Sequence, residues 1–153
     1  MKIISKSEKD TIKIAKQFAS RLSGGEVVLL YGNLGAGKTV FVKAMAKALG
    51  VVEVVKSPTF NLMKIYSTKT QKHKNTKTLC HVDAYRLNNL EELLDIGAEE
   101  YLGKENVVSV IEWAERITKT QQHKNTKAQI LGKIIKIKID YGKKDNERII
   151  EIK

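Results

Sequence analysis

Tyr31-Gly32-Asn33-Leu34-Gly35-Ala36-Gly37-Lys38-Thr39 contains the pattern G-x-x-x-x-G-K-T, that of a phosphate-binding loop. Before it, Val27-Val28-Leu29-Leu30-Tyr31 is a short apolar run following Gly24-Gly25, as a buried strand requires. After it, Phe41, Val42, Met45, Ala48 and Leu49 recur at helical spacing, and Gly50 stands where a C-capping glycine belongs. The glycines permit a tight turn and close backbone approach. Successive N–H groups then face one concavity, and the helix N-terminus adds about half a positive charge there. In this reading Asn33, Leu34, Gly35, Ala36, Gly37, Lys38 and Thr39 bind a nucleotide. Lys38 meets its phosphates as a point charge, and Thr39 offers a hydroxyl to Mg²⁺. A glycine-rich turn that merely joins strand to helix has no need of the Lys-Thr pair.

Two further strands end in carboxylates. Leu79-Cys80-His81-Val82 runs into Asp83, and Val107-Val108-Ser109-Val110-Ile111 runs into Glu112-Trp113. An acid at the carboxyl end of a buried strand beside such a loop is a Walker B arrangement. Asp83 and Glu112 together with Thr39 make an oxygen-rich site for a hard cation. One of the two acids instead orients the attacking water, and sequence does not separate the roles. His81 shares a strand face with Asp83 and reads as a core or supporting histidine. Arg86 is a candidate for phosphate contact or for a structural ion pair. Trp113 has two readings, packing at the nucleotide or a partner, and covering the core. Ser57-Pro58-Thr59 is a stiffened turn, with Thr59 either a switch-like contact to phosphate or metal or an ordinary turn residue.

The remaining elements follow from local chemistry. Ile3-Ile4 opens an edge strand, and Ser7 caps a helix whose apolar face is Ile14, Ala15, Phe18 and Leu22. Val51 to Val55 reads as a loop or short strand, and Phe60, Leu62, Ile65 and Tyr66 as a strand. A helix starts at Leu90 and continues through Gly97 to Leu102, with Glu91, Glu92, Glu99 and Glu100 on a solvated acidic patch. A short helical turn follows over 114–117. Ile135, Ile137 and Ile139 alternate with lysines and return through Arg148 to Ile152 as a C-terminal β-hairpin.

A chain of 153 residues reads as one domain over 1–153. No run reaches the ~18 apolar residues of a membrane span, and the polar start at Lys2 predicts no signal peptide. The single cysteine, Cys80, excludes an internal disulfide framework, fits a reducing cytosol and reads as a small buried hydrophobe. The net charge of +11 raises a nucleic-acid reading, but the charge is unevenly placed. Residues 68–78 (TKTQKHKNTKT) and 118–128 (TKTQQHKNTKA) agree at nine of eleven positions and hold seven lysines and no acid. Removing those seven from +11 leaves +4. The two segments read as basic, low-complexity loop insertions of one element. An RNA-binding role for them is the alternative. His73 and His123 belong to these insertions and are not read as ligands.

The motifs Gly32–Thr39, Ser57-Pro58-Thr59-Phe60, His81-Val82-Asp83-Ala84-Tyr85-Arg86-Leu87 and Ile111-Glu112-Trp113-Ala114-Glu115 occur in this order. The set resembles the bacterial ATPase family of tRNA threonylcarbamoyladenosine biosynthesis, TsaE (YjeE), over most of residues 7–117 and in the tail hairpin. The resemblance implies an α/β, P-loop NTPase-like three-layer sandwich with a mixed sheet, cytoplasmic, using ATP and Mg²⁺. It implies that Lys38 binds phosphate, that Thr39 and Glu112 hold the metal, that Asp83 supports metal or water, and that Thr59 is a switch residue. Thr11 is implied to lie near the nucleotide. The expected partners are sugar-kinase-like threonylcarbamoyl-transferase subunits (TsaB/TsaD-like), with tRNA involved indirectly and no membrane. The expected activity is ATP hydrolysis supporting modification of tRNA position 37. A small-molecule P-loop kinase is the runner-up, though no arginine-bearing lid is evident. The absence of an N-K-x-D motif argues against a GTPase.

Overall fold

The fold follows from which strands lie in the middle. The structure is a computed structural model and describes residues 1–69, 78–118 and 132–153. In chain order the elements are β1 (Lys2–Ser5), α1 (Glu8–Ala19), β2 (Glu26–Tyr31), α2 (Lys38–Leu49), β3 (Met63–Ser67), β4 (Thr78–Asp83), α3 (Leu90–Asp95), β5 (Val107–Glu112), α4 (Glu115–Thr118), β6 (Lys133–Tyr141) and β7 (Arg148–Ile152). Among the described residues the strands form one sheet in the order β1-β7-β6-β2-β5-β4-β3. The β6-β2-β5-β4 centre is parallel, and β3, β7 and β1 add antiparallel flanks.

The central strands are apolar on both sides because helices cover both faces. In β2, Val28 and Leu30 pack towards α1 and α2, while Val27 and Leu29 pack towards α3 and α4. This gives the three layers expected, with Phe18 and Phe41 joining α1 to α2 at a ring-centroid distance of 5.9 Å. Glu26 is buried at the start of β2. Burial alone raises a carboxyl pKa, but N–H groups of Ser23 and Gly24 and the Lys133 ammonium outweigh it and leave Glu26 below its ordinary value.

Local signals set most boundaries. Ser7 Oγ accepts from Asp10 N at 3.2 Å and caps α1. Gly50 ends α2 at φ 91°. Asn89 Oδ1 accepts from Glu92 N, while the Glu92 carboxylate reaches back to Asn88 N at 2.9 Å, so part of the acidic patch is helix capping. Two boundaries differ from the sequence reading. The helix from Leu90 stops at Asp95, because Gly97 takes φ 84°, and Ala98–Glu100 form a separate 3₁₀ turn. The strand expected from Phe60 begins at Met63: Leu62 has φ 61° and Phe60 is 86% exposed, so this stretch turns first. Val51 forms only an isolated bridge to Thr68.

The ends of the two insertions join regular elements. Lys69 N donates to Gly50 O, Thr78 opens β4, and Thr118 closes α4. The rest of segments 68–78 and 118–128, with His73 and His123, lies outside the described residues. No helix among the described residues is long and apolar enough to cross a membrane.

Candidate functional site

The parallel centre sends the carboxyl ends of β2, β4, β5 and β6 to one edge, where ligands of open α/β sheets bind. Register makes the convergence exact to the residue: Asp83 lies opposite Glu112, and Glu112 opposite Leu30. Side-chain alternation does the rest. Leu79 packs towards α1 and α2, so His81 and Asp83 project to that same face, where α2 begins.

The loop between β2 and α2 is left-handed at its glycines, with φ 144° at Gly32, 74° at Gly35 and 102° at Gly37. Gly37 is the N-cap of α2, and among the described residues no side-chain cap bond is made there. The first N–H groups of α2 are therefore uncapped by any side chain at the loop. A cavity of about 570 Å³ opens there, lined by Leu34, Gly35, Gly37, Lys38, Thr39, Ser57, Thr59, Asp83, Tyr85, Glu112 and Trp113 among others.

Each predicted side chain has a definite partner. Lys38 is 5% exposed, and its Nζ donates to Gly32 O at 2.6 Å and Asn33 O at 3.0 Å. It also sits 3.5 Å from the Trp113 ring centroid, a cation–π contact. Burial lowers the Lys38 pKa below the ordinary lysine value, and Glu112, Glu115 and Asp83 partly oppose that shift. Thr39 Oγ1 donates to Glu112 Oε2 at 3.0 Å, and His81 Nε2 lies 2.8 Å from Glu112 Oε1. Asp83 Oδ2 accepts from Ser57 Oγ at 2.8 Å and Thr59 Oγ1 at 3.0 Å, and its Oδ1 from Tyr85 N at 3.0 Å. Ser57 and Thr59 are thus tied by hydroxyl bonds to a strand-end carboxylate.

Trp113 takes φ 59°, a conformation that L-residues rarely adopt, and Ala114 N donates to Leu30 O just beyond it. The turn aims the indole at Lys38 and against Tyr85, at 5.0 Å between centroids. Thr39, Glu112 and Asp83 form an all-oxygen donor set, the chemistry that suits a hard divalent cation. With its proton on Glu112, the Thr39 hydroxyl keeps oxygen lone pairs available.

Other expectations fall outside this cavity. Thr11 is buried, bonds Ser5 Oγ at 2.7 Å, and lines a smaller cavity of about 240 Å³ with Gly35, Ala36 and Gly37. Ala36 is 1% exposed, and Asn33 contributes a carbonyl to Lys38. Arg86 is exposed, does not line this cavity, and stacks over Phe60, 5.2 Å from its centroid. Cys80 is fully buried and its thiol is pushed up to about 12 by desolvation.

Sequence reasoning missed the brace beneath the loop. Tyr141 Oη donates to Leu34 O, and Arg148 Nε to Ala36 O at 3.1 Å, with a longer contact to Gly35 O. Arg148 also donates to Asp145 O and Glu147 O of its own hairpin turn. The only signal for this was the hairpin itself, which does not say where in the sheet it lies.

Strand order, helix layers and the strand–loop–helix unit define a P-loop NTPase-like α/β fold. The crystal structure of Bacillus subtilis YdiB shares it at a TM-score of 0.70 and 29% identity, over 98% of this chain and 82% of that one. The family model for "Threonylcarbamoyl adenosine biosynthesis protein TsaE" matches residues 5–150. Two curated relatives are named tRNA threonylcarbamoyladenosine biosynthesis protein TsaE. That of Treponema pallidum is 43% identical, over 76% of this chain and 81% of its own length. That of Aquifex aeolicus is 45% identical, over 74% and 77%. The chain belongs to the TsaE family.

Proposed function

We propose that this chain is a cytoplasmic, Mg²⁺-dependent ATPase, hydrolysing ATP to ADP and phosphate in support of tRNA threonylcarbamoyladenosine biosynthesis. Its partners in this reading are sugar-kinase-like transferase subunits, with tRNA met only indirectly. The biosynthetic role is supported by the family, whose relatives carry that process in their names. The hydrolytic role is supported by one observation above all: the glycine loop, Lys38, Thr39 and two strand-end carboxylates line a single cavity.

The chain's own groups divide the work. The N–H groups of the loop and of the first turn of α2 bind phosphate oxygens. Lys38 exchanges its bonds to Gly32 O and Asn33 O for phosphate, an exchange favoured because the carbonyls leave its charge without a bonded anion. Thr39 and Glu112 would hold magnesium, with Asp83 as the neighbouring acid; the ion supplies charge neutralisation at the phosphates. Asp83, fixed by Ser57 and Thr59, couples the Ser-Pro-Thr turn to the state of the phosphate end. Trp113 and Tyr85 wall the cavity.

No arginine lines this cavity among the described residues. A transition-state arginine is worth ~10³–10⁵ in rate, so intrinsic turnover is slow and partner subunits accelerate it. Calorimetric titration with ADP and a non-hydrolysable ATP analogue, with magnesium and with EDTA, tests the first step. Phosphate release with and without the partner subunits tests the second. Uptake strengthened by magnesium and lost in Lys38→Ala is the expected result. Well-folded protein that takes up no adenine nucleotide refutes the reading, and equal rates with and without partners refute the coupling.

A further inference from the structure

His81 is completely buried in β4, behind the site rather than in the lining of its cavity. It stands beside Val110 in the parallel register, two residues short of the Asp83–Glu112 pair. From there its Nε2 reaches Glu112 Oε1 at 2.8 Å. Its Nδ1 is also buried and has no hydrogen-bond partner among the described residues. These facts select a tautomer. A proton on Nδ1 would leave a buried donor unmade, at about 1–3 kcal/mol, and would turn the Nε2 lone pair against a carboxylate oxygen. A proton on Nε2 makes the bond to Glu112 instead.

The opposite oxygen of Glu112 accepts from Thr39 Oγ1. The carboxylate is therefore pinned from two elements, β4 through His81 and α2 through Thr39. Without the imidazole, Oε1 would have no donor among the described residues in a position that is 2% exposed, and the carboxylate would turn to find one. We infer that His81 is a positioning residue: as the Nε2–H tautomer it holds Glu112 in the rotamer that presents it to Thr39 and to a divalent cation in the cavity. The arrangement is a hydrogen-bonded outer partner to an acidic ligand, a class of residue whose loss weakens metal affinity by about 10–100-fold. The cation part of this inference rests on the magnesium-nucleotide reading above; the tautomer and the carboxylate rotamer do not.

The experiment uses the full chain as wild type, His81→Ala and His81→Gln. Glutamine carries its amide nitrogen as many bonds from Cβ as the histidine Nε2. ADP affinity is titrated in EDTA and across a magnesium series. In His81→Ala the magnesium concentration for half-maximal effect rises about tenfold or more, while affinity in EDTA is unchanged; His81→Gln recovers most of the difference. Equal magnesium dependence in His81→Ala and wild type overturns the inference, as does an equal loss with and without magnesium, or a glutamine variant no better than alanine. If the alanine variant does not fold, the comparison of glutamine with wild type carries the test. A long-range ¹H–¹⁵N spectrum of the unliganded wild type reads the tautomer directly, and a proton on Nδ1 overturns the inference whatever the ligand does. Should the wild type take up no ADP at all, the nucleotide reading fails, and that spectrum alone decides the placement of the proton on His81.

Discussion

Gly32→Ala tests whether the glycine loop is shaped by the strand beneath it. Gly32 sits at φ 144°, and a Cβ there would lie 2.3 Å from the Ile139 carbonyl oxygen. Carbon–oxygen contacts begin near ~3.3 Å, so the loop or β6 has to retreat by about 1 Å. The obstacle is backbone, not a flexible side chain. Ile139 is held opposite Ile150 of β7, and its neighbour Lys138 opposite Tyr31 of β2. Positive-φ strain of this type costs about 1–3 kcal/mol. Forcing packed backbone aside costs about a further 1–3 kcal/mol. The expected loss is therefore about 2–6 kcal/mol, a large part of an ordinary domain's stability.

Two controls separate the terms. Gly37 has φ 102° and Gly97 φ 84°, and a Cβ at either meets nothing within 4 Å. Gly37→Ala and Gly97→Ala should each lose only the strain share, about 1–3 kcal/mol. Urea unfolding followed by circular dichroism, with stability from linear extrapolation, gives all three values on one scale. ADP titration adds a second axis: Gly37→Ala should weaken binding, because Gly37 caps α2 inside the loop, and Gly97→Ala should not. The steric reasoning is refuted if Gly32→Ala is no less stable than Gly97→Ala.

Three further outcomes follow from the site. In the unfolded chain Lys38 keeps its proton up to the ordinary lysine range, whereas burial makes the folded protein release it earlier. Between those points the unfolded state binds more protons, so wild-type stability should climb with pH relative to Lys38→Met; parallel pH profiles in urea melts would contradict this. Arg148→Ala removes the bonds to Ala36 O and Gly35 O that brace the loop. At about 1–2 kcal/mol, ADP affinity should drop ~5–30-fold by calorimetry. Cys80, buried and with its thiol pushed up to about 12, should resist a thiol reagent in the native protein and label in step with unfolding by denaturant.

The legible parts were those whose cause lies within a short window. Capping at Ser7 and Gly50, the apolar runs of β2, β4 and β5, and the acids that end two of them are local facts, and each appears where the pattern put it. The misplaced boundaries had a competing local cause. Gly97 lies within a helical pattern yet takes the left-handed conformation, and Leu62 does the same without being glycine. Apolar spacing does not register a single positive φ.

From the sequence alone came the strand–loop–helix unit, the oxygen-donor residues Thr39, Asp83 and Glu112, and the likeness to one family, because each is written in residue type and spacing. Tertiary structure alone decided which of these groups touch. His81 meets Glu112 across 31 positions, Thr39 meets Glu112 across 73, and Arg148 meets Ala36 across 112. Those contacts depend on β6 lying beside β2 and β4 beside β5. Strand order is fixed by packing of the whole chain, and no window of sequence short enough to show a period contains it.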